Sequence, residues 1–165
     1  AHQRGWKTLN VVRRAAAAEE LRALGADAVV VDDEDMGAAA KEVLGGAVPR
    51  LALNAVGGIS ATRLAGLLTS GGTLVTYGAM SKEALKIPNG FLIFRDLIFR
   101  GFWLTRWLRA APPDQVSSLF DQVLRLAASG CFTPRVVAEF PLAEVAAAVA
   151  RAEEGGGKVL LRIGG

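Results

Sequence analysis

The sequence predicts an α/β fold, a doubly wound parallel sheet, on three observations. Short runs that are apolar throughout alternate with stretches of good helix formers. Glycine stands at the junctions. No strand shows the period-two alternation of a sheet with one wet face, so the strands are expected to be covered on both sides.

The elements follow in order. Lys7 to Val12 (KTLNVV) is apolar and β-branched and predicts a strand; Ala15 to Leu24 is rich in Ala, Glu, Leu and Arg and predicts a helix stopped by Gly25. The cycle repeats with a strand over Ala28 to Val31 and a short helix from about Gly37 to Leu44. It repeats with a strand over Leu51 to Val56 and a helix over Ser60 to Leu68, then a strand over Thr73 to Tyr77. Leu97 to Trp103 is another strand-like run, after which Pro112-Pro113-Asp114 interrupts the chain and offers Asp114 as an N-cap. Val116, Leu119, Phe120, Val123 and Leu124 then form one apolar stripe on a helix ending before Gly130. Leu142, Val145, Ala146 and Val149 repeat that spacing in a helix stopped by Gly155-Gly156-Gly157, and Val159 to Ile163 closes the chain as a strand. The tail's apolar faces imply that it packs against something. Two sections are expected, residues 1–111 and residues 112–165.

Composition narrows the function classes. With 165 residues, 52% of them hydrophobic, the chain can fill a core, and its mean hydropathy of +0.33 argues against disorder. The net charge of +3 is spread over 19 basic and 16 acidic residues, with no Lys/Arg block of the kind nucleic acid selects, so the pI near 9.4 does not imply a DNA partner. Asn54, Gly57, Gly58, Arg95 and Asp96 interrupt the most apolar stretches before they reach the ~18 residues of a membrane span. A single cysteine, Cys131, excludes an internal disulfide and leaves too few thiols for a structural zinc site. The opening Ala-His-Gln-Arg-Gly-Trp has no initiator Met and no targeting pattern, so the true N-terminus is expected upstream.

In open α/β sheets ligands bind outside the carboxyl ends of the strands, so the residues after each strand are the candidates. Arg13 and Arg14 follow the first strand, where a dinucleotide fold meets the adenine ribose; an acid there suits the 2′-hydroxyl of NAD and an arginine the 2′-phosphate of NADP. The plainer alternative is two solvated arginines, although a positive charge at a helix N-terminus is unfavourable unless an anion offsets it. Asp32-Asp33-Glu34-Asp35 lacks the spacing of a calcium loop and is expected to be a solvated acidic turn. Gly57-Gly58 fits either cofactor approach or a tight turn, with Ser60 able to cap the next helix. Tyr77-Gly78-Ala79-Met80 either lets a nicotinamide ring lie against small residues or simply turns the chain. Phe102, Trp103 and Trp107 are core or pocket lining, and His2 is expected at the surface. No phosphate-cradling glycine loop follows a first strand. The result is a Rossmann-like fold without its opening βα unit.

The segments LNVVR, RLALNAVGG, GGTLVTYGAM, FRDLIFRGFWLTRW and GGGKVLL, in this order and spacing, resemble the mitochondrial 2-enoyl thioester reductases, zinc-free members of the medium-chain dehydrogenase/reductase superfamily. The resemblance spans nearly all of Leu9 to Leu161. It implies NADPH as cofactor, with Arg13 at the 2′-phosphate and Arg14 in an adjoining charged stretch. It further implies cofactor contacts at Tyr77, Gly78, Ala79 and Met80, at Phe102, Trp103, Leu104 and Thr105, and at Lys158. Ala15 stands where the vertebrate form has a second arginine, which leaves one guanidinium the work of two. The family's catalytic tyrosine and phosphate loop match nothing here, so no catalytic residue and no metal ligand is assigned, and Tyr77 is not a proton donor.

The implied whole reaction is hydride delivery from NADPH to C3 of a trans-2-enoyl thioester, with charge stabilised at the thioester oxygen and C2 then protonated. Implied too are an acyl-carrier protein or coenzyme A carrier, a homodimer when complete, and the mitochondrial matrix. The alternatives are an NADPH:quinone reductase of the same superfamily and a non-catalytic module that keeps the fold.

Overall fold

The computed structural model describes residues 1, 4–131 and 134–164, so the expectation for His2 lies outside the described residues. The chain divides into two compact units, Ala1–Arg109 and Ala110–Gly165.

In the first unit β1 (Leu9–Val12), β2 (Ala28–Val31), β3 (Leu51–Asn54), β4 (Thr73–Thr76) and β5 (Ile98–Gly101) alternate with helices α1 (Ala15–Ala23), α2 (Met36–Leu44), α3 (Gly58–Gly66) and α4 (Asn89–Ile93). Every pairing is parallel: Leu9 faces Ala28 in β1–β2, Leu51 faces Thr73 in β3–β4, and Thr73 faces Ile98 in β4–β5. The helical crossovers make this possible, because a parallel partner cannot be reached by a tight turn. The sheet is nevertheless split. β1 pairs with β2, β3–β4–β5 forms a separate set, and no pairing joins β1 to β3 among the described residues.

Burial differs strand by strand. Ala28, Val29 and Val30 of β2 are all buried, and since successive side chains point to opposite faces, both faces of β2 are covered. Val30 packs with Met36 and Ala40 of α2, joined by Leu9, Val11 and Leu67. In β3 only Ala52 and Asn54 are buried, while Leu51 and Leu53 are 58% and 63% exposed. The expectation of two-sided cover therefore fails at β3, because the apolar run alone cannot say which layer is present; here α3 is the helix that meets this strand. Ala52, Ala65, Leu68, Leu74 and Leu97 make the second core cluster, with Leu64, Phe91 and Phe99 against it. Arg95 ties the end of α3 to the segment before β5 by donating to the carbonyls of Gly66 and Leu68.

In the second unit α6 (Pro113–Ala128) precedes β6 (Val136–Pro141), a short 3₁₀ turn over Leu142–Glu144, α7 (Val145–Glu153) and β7 (Lys158–Arg162). β6 and β7 pair in parallel, another right-sized βαβ crossover. α5 (Leu104–Ala110) spans the boundary between the two units in the sequence.

Several boundaries differ from the sequence expectations. The last strand of the first unit ends at Gly101, where its register with Thr76 runs out, so Phe102 and Trp103 fall beyond it. Pro112, not Asp114, is the N-cap of α6, and Asp114 lies in its first turn. Gly57 occupies the N-cap of α3 and no side chain caps that helix, so Ser60 sits inside the first turn. β6, α4 and α5 are additional elements.

Candidate functional site

Parallel strands aim their carboxyl ends at one edge, and a cleft of about 260 Å³ opens there in the first unit. Its walls are Arg13 after β1, Asp32 after β2, Val56, Gly57, Ile59 and Ser60 around the start of α3, and Met80, Ser81 and Glu83 after β4. A volume below the ~300–1,000 Å³ of typical ligand sites suits part of a dinucleotide rather than the whole.

Asn54 shapes this rim. Its side chain is 2% exposed at the end of β3, and its Oδ1 accepts from the N–H groups of Val56 and Gly57, each at 3.1 Å. Its Nδ2 donates to Thr76 Oγ1 of β4 at 3.1 Å. One buried amide thereby fixes the turn that leads into α3 and locks it to the neighbouring strand, which is how a buried polar group is kept without penalty. Gly57 and Gly58 have φ of +86° and +54°, so the turn itself requires them. A Cβ on Gly57 would stand 3.2 Å from the Glu83 carbonyl, and the Glu83 side chain fills the space beside Gly58. Both glycines thus serve a tight turn and a close loop contact. Gly78 is small for a related reason: a Cβ there would lie 2.9 Å from the carbonyl oxygen of Ala55.

The charges on the cleft are unevenly matched. Arg13 is exposed and makes no ion pair among the described residues. Asp32, expected to be solvated, is not: its side chain is 9% exposed and Arg63 Nη1 of α3 meets Oδ1 at 3.3 Å. The partner lies 31 residues away, out of reach of local sequence reasoning. Asp33, Glu34 and Asp35 are exposed as expected.

The structure brings Arg13 and Met80 onto one cleft. Arg14 is the exposed N-cap of α1, beside Arg13 but off the cleft wall. Tyr77, Gly78 and Ala79 follow β4; Tyr77 is 56% exposed, and its N–H donates to the Asn54 carbonyl. Phe102 and Trp103 follow β5 on the same strand-end edge, with the Phe102 N–H bonded to the Thr76 carbonyl, and Leu104 and Thr105 open α5. Lys158 begins β7 in the second unit. The sequence did not single out Asp32, Val56, Ile59, Ser60, Ser81 or Glu83 as cleft residues; placement just after a strand end was the available signal for Asp32 and Val56.

Residues 1–128 match the family model for zinc-binding dehydrogenases. The chain belongs to that family. Its residues do not fit the metal in the family's name, since the sequence holds one histidine and one cysteine and no group of three or more His, Cys, Asp or Glu is assembled among the described residues. Proteins named as mitochondrial enoyl-[acyl-carrier-protein] reductases are among the relatives the chain resembles. The mitochondrial enoyl-[acyl-carrier-protein] reductase of Dictyostelium discoideum is 42% identical over 131 residues, covering 76% of this chain and 37% of that protein. The human mitochondrial enoyl-[acyl-carrier-protein] reductase is 37% identical over 153 residues, covering 88% and 40%. Etr1p, solved with NADP and crotonyl-CoA, superposes with a TM-score of 0.81 at 28% identity over 96% of this chain and 47% of its own. A Mesorhizobium loti protein assigned as an NADPH:quinone reductase gives 0.81 at 28% identity over 98% and 47%. The chain therefore spans less than half the length of these relatives, and shares with the two solved structures the α/β fold of parallel strands.

Proposed function

We propose that this chain is part of the nucleotide-binding domain of an NADPH-dependent reductase of trans-2-enoyl thioesters. The observation that carries the proposal is Arg13, an exposed guanidinium with no ion pair, on the wall of a cleft at the carboxyl ends of parallel strands. A guanidinium offers a planar set of donors matched to a phosphate, and arginines rather than an acid directly follow β1. The similarity to enoyl-[acyl-carrier-protein] reductases over most of the chain supports this substrate class.

In this reading Arg13 holds the 2′-phosphate with Arg14 beside it. Tyr77 to Met80 and Phe102 to Thr105 line the path of the nicotinamide half, and Lys158 is the further contact that the family resemblance implies. When bound, NADPH supplies the hydride that saturates the enoyl double bond. This chain's share is to bind and orient; residues 1–111 form the nucleotide-binding part, and residues 112–165 belong partly with a catalytic domain that supplies the proton. The thioester is carried on acyl-carrier protein or coenzyme A, the complete protein is a homodimer, and its place is the mitochondrial matrix.

Fluorescence titration of the full-length protein with NADPH and NADH tests the cofactor, and NADPH consumption with crotonyl-CoA tests the substrate. Arg13→Ala is expected to weaken NADPH binding by roughly tenfold or more while leaving NADH nearly unchanged, because a charge-assisted contact is lost. Equal affinities for the two nucleotides, or an inert Arg13→Ala, would refute the assignment. A second reading, an NADPH:quinone reductase, is favoured by the Mesorhizobium loti structure; turnover with a quinone and none with crotonyl-CoA would select it.

A further inference from the structure

Asp32 places a carboxylate on the cleft wall that also carries Arg13. An anion there is at odds with a site for a second anion. Left unpaired, it would both attract the Arg13 guanidinium and repel a 2′-phosphate, whose charge at neutral pH is near −1.5 to −2. The structure resolves the conflict through α3: Arg63 Nη1 stands 3.3 Å from Asp32 Oδ1, and the pair is largely sheltered, with side chains 28% and 9% exposed. Arg63 itself does not line the cleft. The remaining acid on the wall, Glu83, is on the opposite loop, its side chain packed over Gly58.

We propose that Arg63 is a positioning residue for cofactor choice: by neutralising Asp32 it keeps Arg13 available as an uncompensated cation and admits the 2′-phosphate without touching the nucleotide. The inference rests on reading this cleft as the NADPH site. A purely structural role for the pair, as a clamp between α3 and the end of β2 or as a cation in the last turn of a helix, would weaken both nucleotides alike. The neutralising role acts on the phosphate alone, so it changes the ratio of the two affinities.

The test is a set of NADPH and NADH titrations on the full-length protein and its Arg63→Met, Asp32→Asn and double variants, with thermal melts alongside. Arg63→Met frees the Asp32 charge and is expected to weaken NADPH about tenfold with NADH within twofold, the size of effect a single carboxylate exerts on a nearby dianion in partly screened surroundings. Adding Asp32→Asn to Arg63→Met removes that charge and should restore NADPH affinity. Asp32→Asn alone, which frees a second guanidinium and provides an independent arm if Arg63→Met fails to fold, should hold or raise it. Parallel losses for both nucleotides, no rescue in the double variant, or a selective NADPH loss in Asp32→Asn would overturn the proposal. An unmodified protein that binds the two nucleotides equally would instead remove the NADPH reading beneath it.

Discussion

Asn54→Ala removes three hydrogen bonds from one buried point and tests whether that residue organises the cleft. The contacts to the Val56 and Gly57 N–H groups and to Thr76 Oγ1 are each 3.1 Å long. At a net ~1 kcal/mol per bond the loss is about 3 kcal/mol, and the stranded Gly57 N–H, which is buried, argues against a smaller value. Thr76→Val breaks only one of the three and should cost about 1 kcal/mol. Because the Asn54–Thr76 bond is counted in both single variants, the double variant should fall short of their sum by about 1 kcal/mol. Urea unfolding followed by circular dichroism measures all four proteins. The turn into α3 also lines the cleft, so Asn54→Ala should weaken nucleotide binding more than Thr76→Val does. A cost for Asn54→Ala below about 1 kcal/mol, or strict additivity, would show that water replaces these bonds and that the turn is held by its glycines alone.

Gly78→Ala places a methyl against the Ala55 carbonyl, where a Cβ would sit at 2.9 Å. Since a backbone oxygen cannot swing aside, a destabilisation of about 1–3 kcal/mol is expected in the same urea assay, and a loss below 0.5 kcal/mol would refute the contact. The segment expressed alone should be oligomeric or aggregation-prone, because Leu51 and Leu53 stand exposed on a strand whose other edge has no partner among the described residues. Size-exclusion chromatography with light scattering on the segment and on a longer protein decides this, and a monodisperse, cooperatively melting monomer of the segment would contradict it.

The parallel α/β plan was legible because β-branched apolar runs such as Ala28 to Val31 and Thr73 to Thr76 alternate with Ala-rich helices that end at glycines. The place of Arg13 on the cleft was legible as well, since a strand end in this plan is where clefts open. What escaped were features settled by contact rather than by pattern. The five-residue α4 is too short for a helical stripe to show, and β6 hides a β-branched pair next to a charged residue and a proline. Asp32 looked like one of four solvated acids until α3 brought Arg63 to it. Leu51 and Leu53 illustrate the same limit from the other side, because hydrophobicity shows that a residue favours cover but not whether cover is there.

The interlock of Gly57 and Gly58 with the Glu83 loop also divides the chain into places that can change length and places that cannot. At the rim, one added residue after β3 would drive the backbone into the loop after β4, where the Glu83 carbonyl already stands 3.2 Å from the Cβ that Gly57 lacks. The turn at Gly25, between α1 and β2, has nothing within 4 Å of such a position. Insertions, tags or a lengthened α1 are therefore accommodated at the α1–β2 turn, on the side away from the strand ends, whereas the two rim loops can be exchanged only as a matched pair.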